Sequence, residues 1–380
     1  MVKRKRVAVI FSYNENWIAG SYYIQNLIFA LNQLPDEEKP ELVVLSDEKD
    51  FEKIKTTQYP YLEYQPILPN YSLPEKVFNK ISRTLFQKNI FEKRMNGTEA
   101  NIFFPASHDD IFGLIPTSQK LFWIPDFQEH HFPDFFSEQV LAQRKRDIHK
   151  IIQANSPIVF SSEDSEKDFH HFYPSGSNKT YVLPFAVTHP SYDSLEIKSL
   201  LEKYQISQPY YFSPNQFWKH KNHIVVLEAL KILKEQQVSC QVVFTGKEYD
   251  YRNPDYFDEL KKYVADNKLT DCVKFLGFID RKEQLKLMSE SLAVIQPSLF
   301  EGWSTVVEDA KAMNKFVILS DLNVHREQLK QNVTFFNPRK PEELAACMSD
   351  ANRLTVFADY KQDIINFGRR FMNVVNEIIS

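Results

Sequence analysis

Leu292-Ala293-Val294-Ile295-Gln296 runs directly into Pro297-Ser298-Leu299-Phe300-Glu301-Gly302-Trp303-Ser304-Thr305-Val306-Val307-Glu308-Asp309-Ala310. The first five residues read as a strand buried on both faces, the kind found inside a parallel sheet. The segment from about Ser304 reads as a helix, with Ser304 as its cap and acidic residues in its first turn. A helix that opens just after a strand presents unpaired N–H groups, which suit a phosphate. Glu301 lies just before that helix. A carboxylate there repels phosphate and is better used accepting hydrogen bonds from neutral hydroxyls, as on a sugar. An ordinary capped strand–loop–helix has the same pattern, and spacing alone does not separate the two readings.

The same alternation fills the rest of the chain. Strand-like runs are Val7–Phe11, Leu42–Leu45, Asn101–Phe104, Lys120–Ile124, Pro157–Ser161 and Tyr181–Pro184, with helical patterns at about 21–34, 74–95, 136–154 and 163–172. A second series has strands at Tyr210–Ser213, Gln241–Thr245, Val273–Leu276, Leu292–Gln296, Phe316–Ser320 and Val333–Phe336. Its helices fall at about 222–236, 254–267, 280–289, 304–313, 323–330 and 340–352. Strands and helices alternating at this spacing imply an α/β fold of parallel sheets covered by helices. The series resets between about 186 and 208, where two prolines flank a charged segment. The expected units are residues 1–188, 189–355 and a terminal helix at 356–380 that can pack on either half. Two such sheets facing each other share a cleft outside the carboxyl ends of their strands.

Composition narrows the function. The 380 residues contain 8 glycines, where average usage of about 7 % would give roughly 27. No G-x-G pair exists, so the dinucleotide fingerprint is absent, and no G-x-x-x-x-G-K-[ST] loop exists either. A net charge of −4 is not a nucleic-acid footprint. Cys240, Cys272 and Cys347 form no C-x-x-C, which argues against a disulfide framework or zinc site and for a reducing cytosol. The basic start Lys3-Arg4-Lys5-Arg6 precedes an apolar run of only five residues, read as a first strand rather than a leader.

Glu301-Gly302-Trp303 through Asp309-Ala310-Lys311-Ala312, followed by Phe316-Val317-Ile318-Leu319-Ser320-Asp321, resembles the signature of glycosyltransferase family 4, the group 1 glycosyltransferases. The resemblance implies a GT-B fold and a retaining, nucleotide-sugar-dependent enzyme. The family pattern is Glu, seven residues, Glu. Glu301 matches the first, implied to contact the donor sugar. The second slot, implied to bind the ribose hydroxyls, falls on Asp309, with Glu308 as the neighbouring alternative. In Asn215-Gln216-Phe217-Trp218-Lys219-His220-Lys221-Asn222 the family's diphosphate-binding lysine matches Lys221, while its arginine slot falls at about Gln216, which is not basic. Gly302, Ser304 and Thr305 would complete the phosphate end of the donor site. Val273–Ile279 resembles the base-contacting loop, with backbone near Phe278 and Ile279 meeting the nucleobase.

In the first half, Asn16-Trp17-Ile18-Ala19-Gly20-Ser21 resembles a Gly-Gly element with one glycine kept. Gly20 allows close approach of backbone, and a helix beginning near Ser21 offers N–H groups. Phe122–Pro133 resembles the segment where many members carry His-Asp. The histidine slot is Pro125, Asp126 matches the aspartate, and His130 or His131 follows.

The expected activity is therefore transfer of a sugar from a nucleotide-sugar to a glycan or lipid-linked acceptor in cell-surface polysaccharide synthesis. Glu301, Lys221, Asp126 and His130 are the catalytic candidates. Lys221 and the helix N-terminus would stabilise the departing diphosphate with no metal and no cofactor beyond the donor substrate. Two alternatives stand: a nucleotide-sugar epimerase of the same fold, and a silent sugar or nucleotide binder. The segment Lys76–Arg94, basic with interleaved aromatics, reads as an amphipathic helix with a solvated face. Its alternative is peripheral contact with an anionic bilayer at the inner face of the plasma membrane.

Overall fold

The computed structural model describes residues 4–14, 18–66, 73–86, 99–106, 115–350 and 355–380. In the first half, β1 (Arg6–Ile10), β2 (Glu41–Ser46), β3 (Leu62–Pro66) and β4 (Ile102–Phe104) form a parallel sheet in the order β3-β2-β1-β4. β5 (Phe122–Ile124), β6 (Ile158–Phe160) and β7 (Thr180–Val182) form a second parallel set in chain order. The two sets are joined at β4, where Leu121 N–H donates to the Phe103 carbonyl at 3.0 Å.

In the second half, β8 (Tyr210–Pro214), β9 (Gln241–Thr245), β10 (Val273–Phe275), β11 (Val294–Gln296), β12 (Val317–Ser320) and β13 (Val333–Phe336) form one parallel sheet, ordered β10-β9-β8-β11-β12-β13. Strand order reverses between β1 and β4 and again between β8 and β11. Such reversals open a crevice at the carboxyl ends of the strands.

The central strands carry the apolar runs because helices cover both faces. Val7, Ala8 and Val9 are fully buried, as are Val294 and Ile295. Each of these valine and isoleucine side chains contributes about 1.5–3 kcal/mol. The terminal helix Lys361–Ile379 lies on helix Ile18–Asn32, its Phe367, Phe371 and Val375 sharing one core with Val7, Val9 and Leu27.

Two elements escape the sequence pattern. β3 is a half-exposed edge strand that alternates polar and apolar residues and ends in proline. Helix Glu48–Lys55 buries only Phe51 and Ile54. The first helix begins at Ile18 rather than near Ser21. Of the expected helix at 74–95, Leu73–Phe86 is helical, with Val77, Phe78 and Ile81 about half exposed, and residues 87–95 lie outside the described residues. No helix among the described residues is long and apolar enough to cross a membrane.

Candidate active site in the cleft

Two adjoining cavities fill the cleft. The first, about 420 Å³, lies at the carboxyl ends of β8, β9 and β11. The second, about 500 Å³, lies between the halves and is walled by Trp123, Asp126, Phe136, Arg144, Arg252 and Phe300. Ala19, Trp218, Lys221, Glu301 and Trp303 line both. The boundary between the cavities is therefore where Lys221 meets Glu301.

That pair is built from below. Glu301 Oε1 accepts from Lys221 Nζ at 2.6 Å, Ser298 Oγ at 2.6 Å and Gln296 Nε2 at 2.8 Å. Asn215 Nδ2 in turn donates to Gln296 Oε1 at 2.8 Å. Gln296 and Ser298 are fully buried, so the amide has one workable orientation. Among the described residues no protein donor is recorded on Oε2. Burial would raise the Glu301 carboxyl, but Lys221, His325 and these donors hold it below its ordinary value. Asn222, with φ of +56°, donates to the carbonyls of Pro297 and Pro338, and Leu299 N–H donates to the His220 carbonyl. The turn carrying Lys221 is thus stitched to the loop carrying Glu301.

Glycine appears where the walls touch. A Cβ on Gly302 would lie 2.4 Å from the Pro125 carbonyl oxygen and 2.8 Å from Asp126 Cβ, so the loops of the two halves meet there. A Cβ on Gly246 would lie 2.1 Å from the Asn215 carbonyl oxygen. Burial raises the Asp126 carboxyl above its ordinary value, and the Gln128 N–H donates to it at 3.1 Å.

At the far end of the first cavity, Asp309 Oδ1 accepts from Arg281 at 2.5 Å and lies 3.0 Å from His189 Nε2. Burial opposes the Asp309 charge, yet Arg281 and His189 keep the carboxyl below its ordinary value. Glu308 does not reach either cavity. It is buried against Tyr360 and Gln328, and burial raises its carboxyl. Of the two neighbouring carboxylates, Asp309 lines the first cavity and Glu308 does not. Ser304 caps its helix, and its own N–H donates to Gln328 Oε1 at 3.1 Å. Thr305 and Val306 line the cavity beyond it, together with Gln216, Phe278 and Ile279.

The first half contributes differently. Gly20 lines the second cavity, but Trp17 lies outside the described residues. Ser21 is not in the cleft: its hydroxyl bonds the Ser12 carbonyl and the Asn14 N–H, because the helix starts one turn earlier. His130 is not in the cleft either. Its ring stacks on Phe172 at 4.2 Å and its Nε2 lies 3.0 Å from the Tyr173 hydroxyl. Burial lowers its pKa below the ordinary histidine value. The residue missed in the sequence is Arg281. A base at the first position of a helix (Arg281–Glu290) opposes the macrodipole, and that mismatch was the available signal. No group of three or more His, Cys, Asp or Glu side chains among the described residues is placed to hold a metal ion.

Two parallel-sheet domains around a cleft at both topological switch points define the GT-B architecture. The profile of the family described as Glycosyl transferases group 1 matches residues 198–370, the half that carries Lys221, Glu301 and Asp309. The chain is 23 % identical over 231 residues to the O-antigen chain mannosyltransferase RfbU of Salmonella typhimurium; the match covers 61 % of this chain and 60 % of that protein. Among solved structures, a glycosyltransferase from Rickettsia africae ESF-5 matches with a TM-score of 0.66 at 15 % identity, covering 100 % of this chain and 99 % of that one. Anabaena HepE in complex with UDP matches with a TM-score of 0.64 at 16 % identity, covering 98 % and 100 %. These likenesses at low identity establish the fold.

Proposed function

We propose that the protein is a retaining glycosyltransferase of family 4 that moves a sugar from a nucleotide-sugar to a glycan or lipid-linked glycan acceptor in cell-surface polysaccharide synthesis. The observation that carries this reading is the Lys221–Glu301 pair on the wall common to two adjoining cavities. A donor in the first cavity and an acceptor in the second would meet there. Asp309 offers its second oxygen to the ribose diol, with the nucleobase at Phe278–Ile279. The diphosphate faces Lys221 and the first-turn N–H groups of Thr305 and Val306, which have no intrahelical acceptor. These donors stabilise the charge that develops as the glycosidic bond breaks. Glu301, fixed through Oε1, orients the sugar through Oε2. The second cavity offers rings and carboxylates, the surface that a carbohydrate's apolar faces and hydroxyls require.

RfbU is named for mannose and the HepE structure for UDP, so the test panel holds a nucleotide-activated mannose and UDP-glucose. Thermal shift with each donor, followed by turnover with glycan acceptors, tests the reading. Stabilisation by a donor and acceptor-dependent release of nucleoside diphosphate are expected, both weakened in Lys221→Ala. No shift with any nucleoside diphosphate or its sugars would overturn it. A free sugar-nucleotide isomer formed without acceptor would turn it into an epimerase.

A further inference from the structure

Helix Asn323–Gln328 is only six residues long, yet Glu327 and Gln328 tie together parts that are far apart in the chain. His325 is fully buried and hydrogen-bonded through Nδ1 to the Ser320 carbonyl at 2.9 Å, and burial lowers its pKa to about 4. Gln328 clamps Ser304, accepting its N–H at 3.1 Å and donating to its carbonyl at 2.8 Å, so it fixes the start of the donor-side helix. Glu327 points the other way, into the first half. Its carboxylate accepts the Glu163 N–H at 3.0 and 3.1 Å and the Asp164 N–H at 3.4 Å. A side chain of one domain thus satisfies the orphan donors at the N-terminus of helix Glu163–Phe172 in the other.

The capped helix leads back to the site. Ser165 Oγ, on its first turn, donates to the Pro125 carbonyl at 3.1 Å. That carbonyl is the atom against which Gly302 packs, next to Glu301. Asp168, one turn on, lies 2.6 Å from His131 Nε2, and the His131 ring packs at 5.1 Å from Phe300. A closed circuit therefore runs from Ser304, three residues after Glu301, through helix Asn323–Gln328, across the cleft to helix Glu163–Phe172, and back through Pro125 to Gly302.

The contact is also balanced in charge. Glu327 enters a helix terminus that already carries Glu163, Asp164 and Glu166 in its first turn, so the macrodipole attracts it while like charges repel it. A joint of that kind can open and close, whereas an apolar seam of the same size cannot part without exposing its surface to water.

Resting on the transferase reading above, we propose that Glu327 is a positioning residue for transfer: its bond to the Glu163 and Asp164 N–H groups holds the halves in the arrangement that brings Pro125–Asp126 against Gly302 and Glu301.

The test uses the backbone as well as the side chain. Glu163 is the first helical residue, a position that tolerates proline, and Ser162 before it has the extended backbone (φ −149°, ψ 160°) that a following proline requires. Glu163→Pro therefore deletes the donor and keeps the helix, while Glu163→Ala keeps the donor and deletes the side chain. Small-angle scattering of the ligand-free protein reads closure, UDP serves as the binding probe, and turnover reads the site. Glu327→Ala and Glu163→Pro are each expected to raise the radius of gyration read by scattering and lower kcat about tenfold, with the UDP dissociation constant changed less than about threefold. Glu163→Ala should match wild type, and Glu327→Gln, whose oxygen still accepts, should recover part of the loss. Wild-type scattering and kcat in Glu163→Pro, or an equal loss in Glu163→Ala, would overturn the proposal, and Glu163→Pro decides should Glu327→Ala fail to fold. A wild-type protein that transfers no sugar removes the transferase reading and leaves the scattering comparison to decide whether Glu327 holds the halves together.

Discussion

The two walls of the cleft are made by different means. The second-half wall holds charge in fixed pairs, Lys221 with Glu301 and Arg281 with Asp309, each carboxylate tied through one oxygen. The first-half wall carries charge too, with Arg144 paired to Glu129 at 2.7 Å, but where it meets Glu301 and Gly302 it is shaped by packing. Trp123 stacks on Tyr23 at 4.0 Å, Gly20 lines the second cavity, and desolvation raises the Asp126 carboxyl above its ordinary value. A wall of pre-oriented dipoles suits a ligand whose charge changes during reaction, because nothing there must reorganise. A wall of rings and backbone suits a neutral hydroxylated ligand.

The largest effect that would break this contrast is at the ion pair. Glu301→Gln keeps the shape and removes the charge. It should lower kcat by about 10²–10³, the loss typical of a preorganised electrostatic group, with UDP affinity little changed. Lys221→Met should be harsher on the fold, since it leaves the Glu301 charge buried without its partner, a change that costs about 3–5 kcal/mol. Urea denaturation and turnover together check both. If Glu301→Gln lost UDP binding as well, the division of roles along this wall would fall.

A smaller pair of changes sharpens the same wall. Asp309→Asn should weaken UDP binding about tenfold, near 1.4 kcal/mol, because Asp309 lies at the cavity with Arg281 and His189. Glu308→Ala should leave UDP affinity alone and cost about 1–3 kcal/mol of stability, the penalty for stranding buried partners, here Tyr360 and Gln328. Calorimetric titration and thermal unfolding separate the outcomes, and equal effects of the two substitutions on UDP would erase the distinction.

Why the second half was so much more readable follows from where its chemistry sits. Strand end, loop and helix start are contiguous from Val294 to Ala310, so spacing along the chain is also spacing in the site. Even there, sequence could not choose between Glu308 and Asp309. Adjacent residues on a helix lie about 100° apart, and only packing decides which one faces the cavity. The alternating β and α segments gave the sheets because each strand is a buried apolar run. β3 was lost because an edge strand needs no such run. In the first half, Ser21 and His130 have the right residue types near the right strands, but their side chains turn to local partners, Ser12 and Asn14 for one, Phe172 and Tyr173 for the other. Arg281 lies outside any expected motif, and it took the fold to bring it to Asp309.

The smallest effect concerns two adjacent histidines that lie behind the first-half wall. His130 is folded into rings and should carry little of the chemistry: His130→Gln should keep turnover within about threefold and cost about 1 kcal/mol, as for one modest hydrogen bond. His131 differs because the Asp168 carboxylate lies 2.6 Å away and raises its pKa, while burial lowers that of His130. The sign of the linkage follows. A raised pKa in the folded state means that folding favours the proton, so the His131–Asp168 pair stabilises fully below pH 6.5, the ordinary histidine value. That contribution fades as the pH rises through the raised value. His131 is 39 % exposed, so screening keeps the effect within a few tenths of a kcal/mol, about the range of surface pairs. Imidazole NMR titration should place the His131 midpoint above 6.5 and that of His130 below it, and Asp168→Asn should bring the first down without moving the second. If both titrated together, the two rings would share one environment, and the separation between a ring paired with Asp168 and a ring stacked on Phe172 would be lost.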